Sequence, residues 1–158
     1  PGPRSVLPCL RLSSLTDPCR WRTGRQLRTR RFGQLLQLPL EGGQWARYNS
    51  MTHALDVLGH ASTVLHGLCE EAGQVIRTEP GSLLLFVAEP AMTAAKYENP
   101  CSLVWRDAGV MQGALAIAAE ALELNYCLLG ITGDPWVGRL SEQCHLVGVG
   151  LAALGARP

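Results

Sequence analysis

Lysine is almost absent from this 158-residue chain: Lys96 stands alone among thirteen arginines. Aromatic residues make up 6% and charged residues 17%, so neither stacking on bases nor a densely charged surface dominates the composition. Long hydrophobic runs are missing too. The longest charge-free apolar stretches, Ala108 to Ala119 and Leu146 to Ala156, fall short of the roughly 18 to 20 residues that cross a bilayer. No membrane helix is expected. The six cysteines include no C-x-x-C pair, which removes the thioredoxin-like and zinc-ribbon patterns and favours free thiols in a reducing cytoplasm over a disulfide framework. Also missing are the G-x-S-x-G elbow, the H-E-x-x-H helix, the P-loop and the G-x-G-x-x-G dinucleotide fingerprint. No metal site is expected. His53 and His60 share a helical face but would stand about 10 Å apart along it, too far for one ion, and His66 with Cys69 has no second pair to complete a site.

What is present is unevenly spread. Residues 1–48 carry nine arginines against Asp17 and Glu41, a net +7, while the remainder is −6. The N-terminal Arg-rich segment lacks an apolar core of secretory type. Residues 1–26, with Pro1, Pro3, Pro8 and Pro18, show neither helical nor alternating periodicity and read as an irregular arm, followed by a single domain over 27–158. A basic arm beside an acidic body raises nucleic-acid binding as a reading. The near-absence of aromatics in the arm disfavours it against a solvated leader.

Periodicity places the elements. From Cys101 to Leu124 apolar residues fall on more than one helical face, with Gly109, Gly113 and many alanines keeping the helix thin. A helix apolar nearly all round is buried, in a core or in a subunit interface. Asn125 is expected to end it, with a short strand over Tyr126 to Leu129, a turn at Gly130 to Pro135, and a second helix from Pro135 to Glu142. Ser82 to Ala88 is a continuous apolar run and predicts a central strand, and Leu146 to Leu154 predicts a final one. His53 to Ile76 reads as helical. Helices and strands mix without βαβ regularity, so the class is α+β.

The run Trp105-Arg106-Asp107-Ala108-Gly109, the stretch Ala119 to Gly130, and Lys96-Tyr97 ahead of the helix resemble the nitroreductase-like flavoprotein superfamily. The branch with peptide-azoline dehydrogenases, which oxidise thiazoline and oxazoline rings, is the nearest in pattern. The resemblance extends from Arg77 to Leu154, and the N-terminal half is shortened or divergent. It implies a mixed sheet flanked by helices, a long buried central helix, a homodimer, and FMN bound at the dimer interface by residues of both chains. It also implies that Lys96 and Tyr97 act on a small-molecule or modified-peptide substrate, and that Arg28, Arg30 and Arg31 hold the flavin phosphate. Guanidinium forks suit phosphate oxygens; a surface arginine cluster is the alternative. Ser50 and His53 match the register of a flavin-contacting loop, whose proline and glycines this chain lacks. Gly130, Thr132 and Gly133 are expected to meet the flavin with backbone N–H groups, or else to form a plain strand-to-helix turn.

For Lys96 and Tyr97, the chemistry asks for a base that removes a ring proton while hydride leaves to flavin. The alternative is an exposed loop lysine beside a core tyrosine. Two functions therefore stand at this point: an FMN-dependent oxidoreductase, and a flavin-free scaffold or partner subunit whose cleft is filled by Trp45, Tyr48 or Met51.

Overall fold

The computed structural model describes residues 35–40, 44–49, 51–77, 81–142 and 145–157. The expected arm at 1–26 lies outside them. Six strands form one sheet in the order β3-β2-β1-β4-β6-β5. They are β1 (Leu35–Leu40), β2 (Gln44–Asn49), β3 (Ala54–Leu58), β4 (Ser82–Ala88), β5 (Leu124–Leu129) and β6 (Val147–Ala156). The helices are α1 (Ala61–Val64), α2 (His66–Val75), α3 (Pro90–Ala94) and α4 (Pro100–Ala121). The α+β class holds.

Every residue of β4 from Leu83 to Ala88 is buried, and successive side chains go to opposite faces. Leu83, Leu85 and Val87 pack with Trp45, Leu65, Leu68 and Val137 under α1 and α2. Leu84, Phe86 and Ala88 pack with Val104 and Ala108 under α4. The apolar run recognised in the sequence is therefore a strand covered on both sides. α4 supplies a stripe of Val104, Ala108, Met111, Leu115 and Ala119, spaced to lie along one face.

The mixed sheet that the resemblance implies is not what forms: all five strand pairings are antiparallel. β4 and β5, joined through α3 and α4, do run the same way, but β6 lies between them and is antiparallel to both. The helix expected over His53 to Ile76 starts late. Ala54–Leu58 is a strand because Leu55 and Val57 alternate around Asp56 and the segment pairs with β2, where Arg47 reaches Asp56 at 3.2 Å. α4 stops at Ala121 rather than Asn125, since Glu123 takes a left-handed conformation (φ 56°) that turns the chain directly into β5. The second helix shrinks to a 3₁₀ turn at Val137–Arg139. Gly138 weakens helix there, and the flanking side chains are committed to packing: Val137 is in the core and the Trp136 ring stands against Gly67 of α2.

α4 is not buried all round within this chain. Its outer side exposes Trp105 (49%), Val110 (73%) and Ile117 (74%).

The Tyr126 hydroxyl on β5 is buried with no hydrogen-bond partner among the described residues, and burial pushes its pKa up. A buried hydroxyl without a partner costs free energy that a phenyl ring would not. Tyr126→Phe is expected to leave the unfolding free energy unchanged or to raise it by up to about 1 kcal/mol. Urea denaturation measures this, and a clear loss of stability would show that the hydroxyl is partnered.

Candidate functional site

The turn after β5 is held from two directions. Where β6 passes β4 the register breaks: Phe86 lies opposite Gly150 and Val87 opposite Gly148, leaving Val149 as the extra residue of a bulge. The Gly150 N–H donates to the Thr132 carbonyl at 3.2 Å, and the Gly148 N–H donates to Asp134 Oδ1 at 3.2 Å. No side chain fits at Gly148, because a Cβ there would stand 2.3 Å from the Thr132 oxygen. Gly133 needs glycine twice over, for its φ of 98° and for the Leu85 methyl 2.7 Å from where a Cβ would lie. From the helix side, Gln112 Nε2 donates to the Val149 carbonyl at 3.1 Å.

Of the expected cofactor residues, Gly130 and Thr132 are exposed and Gly133 is buried. An added Cβ at Gly130 would meet nothing within 4 Å. Gly130 and Thr132 therefore lie on an open edge, whereas Gly133 faces the core and serves packing. Arg28, Arg30, Arg31 and Ser50 lie outside the described residues.

Lys96 and Tyr97 follow α3 and precede α4. Both are exposed, with Lys96 Nζ 5.3 Å from the Tyr97 ring centroid, a cation–π contact. The desolvation a lysine base needs is not supplied within this chain. About 18 Å of helix, at 1.5 Å per residue, separates Pro100 from Gln112, the α4 residue tied to the turn. Among the described residues no hydrogen bond or ion pair links Lys96 or Tyr97 to Gly130, Thr132 or Gly133.

Beside the expected flavin loop, His53 sits in the β2–β3 turn at φ 51° with Nδ1 2.6 Å from the Tyr48 hydroxyl, and Asn49 Oδ1 accepts the Met51 N–H. Met51 and Tyr48 are exposed, and Trp45 is a core residue beneath α1 and α2. Among the described residues no three His, Cys, Asp or Glu side chains gather as a metal site, and no helix is long and apolar enough to cross a membrane.

Gln112, Asp134, Gly148 and Gly150 were not singled out from the sequence as site residues. Gln112 did carry a signal, being the one polar side chain in the run Ala108 to Ala119. Compared with known proteins, the chain matches no family model, and no curated protein gives a significant match. The fold class and the local geometry are what bear on function.

Cys69 and Cys127 are free thiols. Burial pushes the Cys69 thiol up, opposed in part by a hydrogen bond with the Trp45 side chain, while Cys127 is exposed on β5. Because the thiolate is the reactive form, iodoacetamide at neutral pH is expected to label Cys127 well before Cys69, with Cys69 catching up only as pH rises. Peptide mapping by mass spectrometry reads the order; equal rates at neutral pH would contradict it.

Proposed function

We propose that this protein is an FMN-dependent oxidoreductase of nitroreductase-like architecture, working as a homodimer in a reducing cytoplasm on azoline rings of a modified peptide. The observation that carries the reading is α4, whose inner stripe packs on the sheet while its outer side leaves Trp105, Val110 and Ile117 exposed. Arg106 and Glu120 are exposed on the same side, so apolar side chains stand there among charges, and a second copy supplies a covering surface of matching character. The buried central helix is then a property of the dimer. The same event covers Lys96 and Tyr97, which one chain leaves in solvent.

In this reading Gly130 and Thr132 border the cofactor; Arg28, Arg30, Arg31 and Ser50, which the resemblance assigns to its phosphate and ring, lie outside the described residues. FMN, when bound, supplies the hydride acceptor. Lys96 takes the proton from one substrate ring carbon while the adjacent ring carbon gives up hydride, and the Tyr97 hydroxyl orients the ring. The C–H electron pair leaves with the hydride, and the electrons of the second broken C–H bond close the new double bond.

A second reading, a flavin-free scaffold or partner subunit, is favoured by the inward packing of Gly133. The two separate in one experiment. The purified full chain, titrated with FMN and passed through gel filtration, is expected to retain an absorption band at about 450 nm, where oxidised flavins absorb, in a peak of dimer size. A colourless protein that releases added FMN would overturn the oxidoreductase and leave the scaffold.

A further inference from the structure

Resting on that reading, we infer that Gln112 is a positioning residue: it fixes the β6 bulge so that the turn at Gly130 to Gly133 is held in its cofactor-binding shape. In the middle of an apolar helix face a side-chain amide needs a partner, and Gln112 finds it in a backbone carbonyl of the sheet, donating from Nε2 to Val149 at 3.1 Å. Val149 is the bulged residue, the point where β6 gives up regular pairing with β4 and where its backbone would otherwise be least constrained. The next residue, Gly150, is shaped for this contact. Its φ of 152° favours glycine, and a Cβ there would stand 2.4 Å from Gln112 Nε2 and push that amide away.

Gly150 passes the constraint on. Its N–H donates to the Thr132 carbonyl, and on the other side of the bulge Gly148 is closed against Thr132 and Gly133 and donates to Asp134. The path from α4 to the turn is thus three contiguous contacts: Gln112 to Val149, Gly150 to Thr132, and Gly148 to Asp134. Thr132 and Gly130 are the open positions of that turn, and beside the β5–β6 pairing that ends at Leu129 the Gln112 amide is the side-chain tie between α4 and the bulge that holds it. Because α4 also carries the proposed subunit contact, the helix that meets the partner and the turn that meets the cofactor share a rigid connection.

The test uses the full chain as wild type, Gln112→Leu, Gln112→Glu and, as a control, Leu115→Ala, which loosens the same helix and keeps the Gln112 hydrogen bond. Hydrogen exchange at the Gly150 amide is followed without FMN, and FMN affinity and the visible spectrum of bound flavin are then measured. Gln112→Leu is expected to speed Gly150 exchange at least tenfold relative to amides elsewhere in β6, weaken FMN binding about tenfold and alter the shape of the flavin band. Leu115→Ala is expected to lower stability with affinity within about twofold of wild type. Should Gln112→Leu fail to fold, Gln112→Glu, which keeps the size but sets a carboxylate against the Val149 carbonyl, gives the same readouts. Wild-type binding matched by both Gln112 variants, with unchanged Gly150 exchange, would overturn the inference while sparing the oxidoreductase reading. A wild-type chain that ignores FMN would overturn that reading and, with it, the assignment of Gln112 to cofactor positioning, whatever the exchange data show.

Discussion

A strand buried on both faces sets the terms for everything around it. Leu83 to Ala88 of β4 have no solvent-facing side, so the chain must provide a layer above and a layer below. It meets this with unequal means. On one side α1, α2 and the segment around Val137 bring Leu65, Leu68 and Trp136; on the other a single long helix does most of the covering. At roughly 25 cal/mol for each Å² of apolar surface removed from water, these two layers are the main source of stability, and the polar contacts mainly fix geometry.

The thin side is where function is proposed. α4 packs Val104, Ala108, Met111, Leu115 and Ala119 on the sheet, and leaves Val110 and Ile117 pointing outward. Both helices expose charge, α2 with Glu70 and Glu71 and α4 with Arg106 and Glu120, but α4 also exposes Val110 and Ile117. Polar detail then gathers where β6 departs from regular pairing, and glycines at 133, 148 and 150 let the turn, the bulge and the helix close on one another.

How much of this could be read in the sequence depended on which force shapes each segment. β4 was legible to the residue because burial on both faces leaves an unbroken apolar run. The long helix was legible for the same reason. Its exposed side was not, because composition records that a face is apolar and cannot tell a core from an unfilled interface. β3 was misread as helix: Leu55 and Val57 fit either period over so short a span, and the cross-strand partner Arg47 that decides it lies nine residues away. The helix expected at Pro135 to Glu142 yielded to tertiary packing of Trp136 and Val137. At the site, Gly130 and Thr132 came out on an open edge, but Gly133 has a structural task instead, and only the fold reveals that Gln112 reaches the strand thirty-seven residues further on.

The central claim is that the outer side of α4 is a contact between two copies. Sedimentation equilibrium of the wild-type chain and of Ile117→Glu, a substitution fully tolerable on a solvent-facing helix surface, tests it directly. The account predicts a dimer for the wild type and a folded monomer for the variant, since a carboxylate buried between apolar faces lacks a partner. A wild-type chain that stays monomeric at every concentration, or a variant that dimerises equally well, would contradict it.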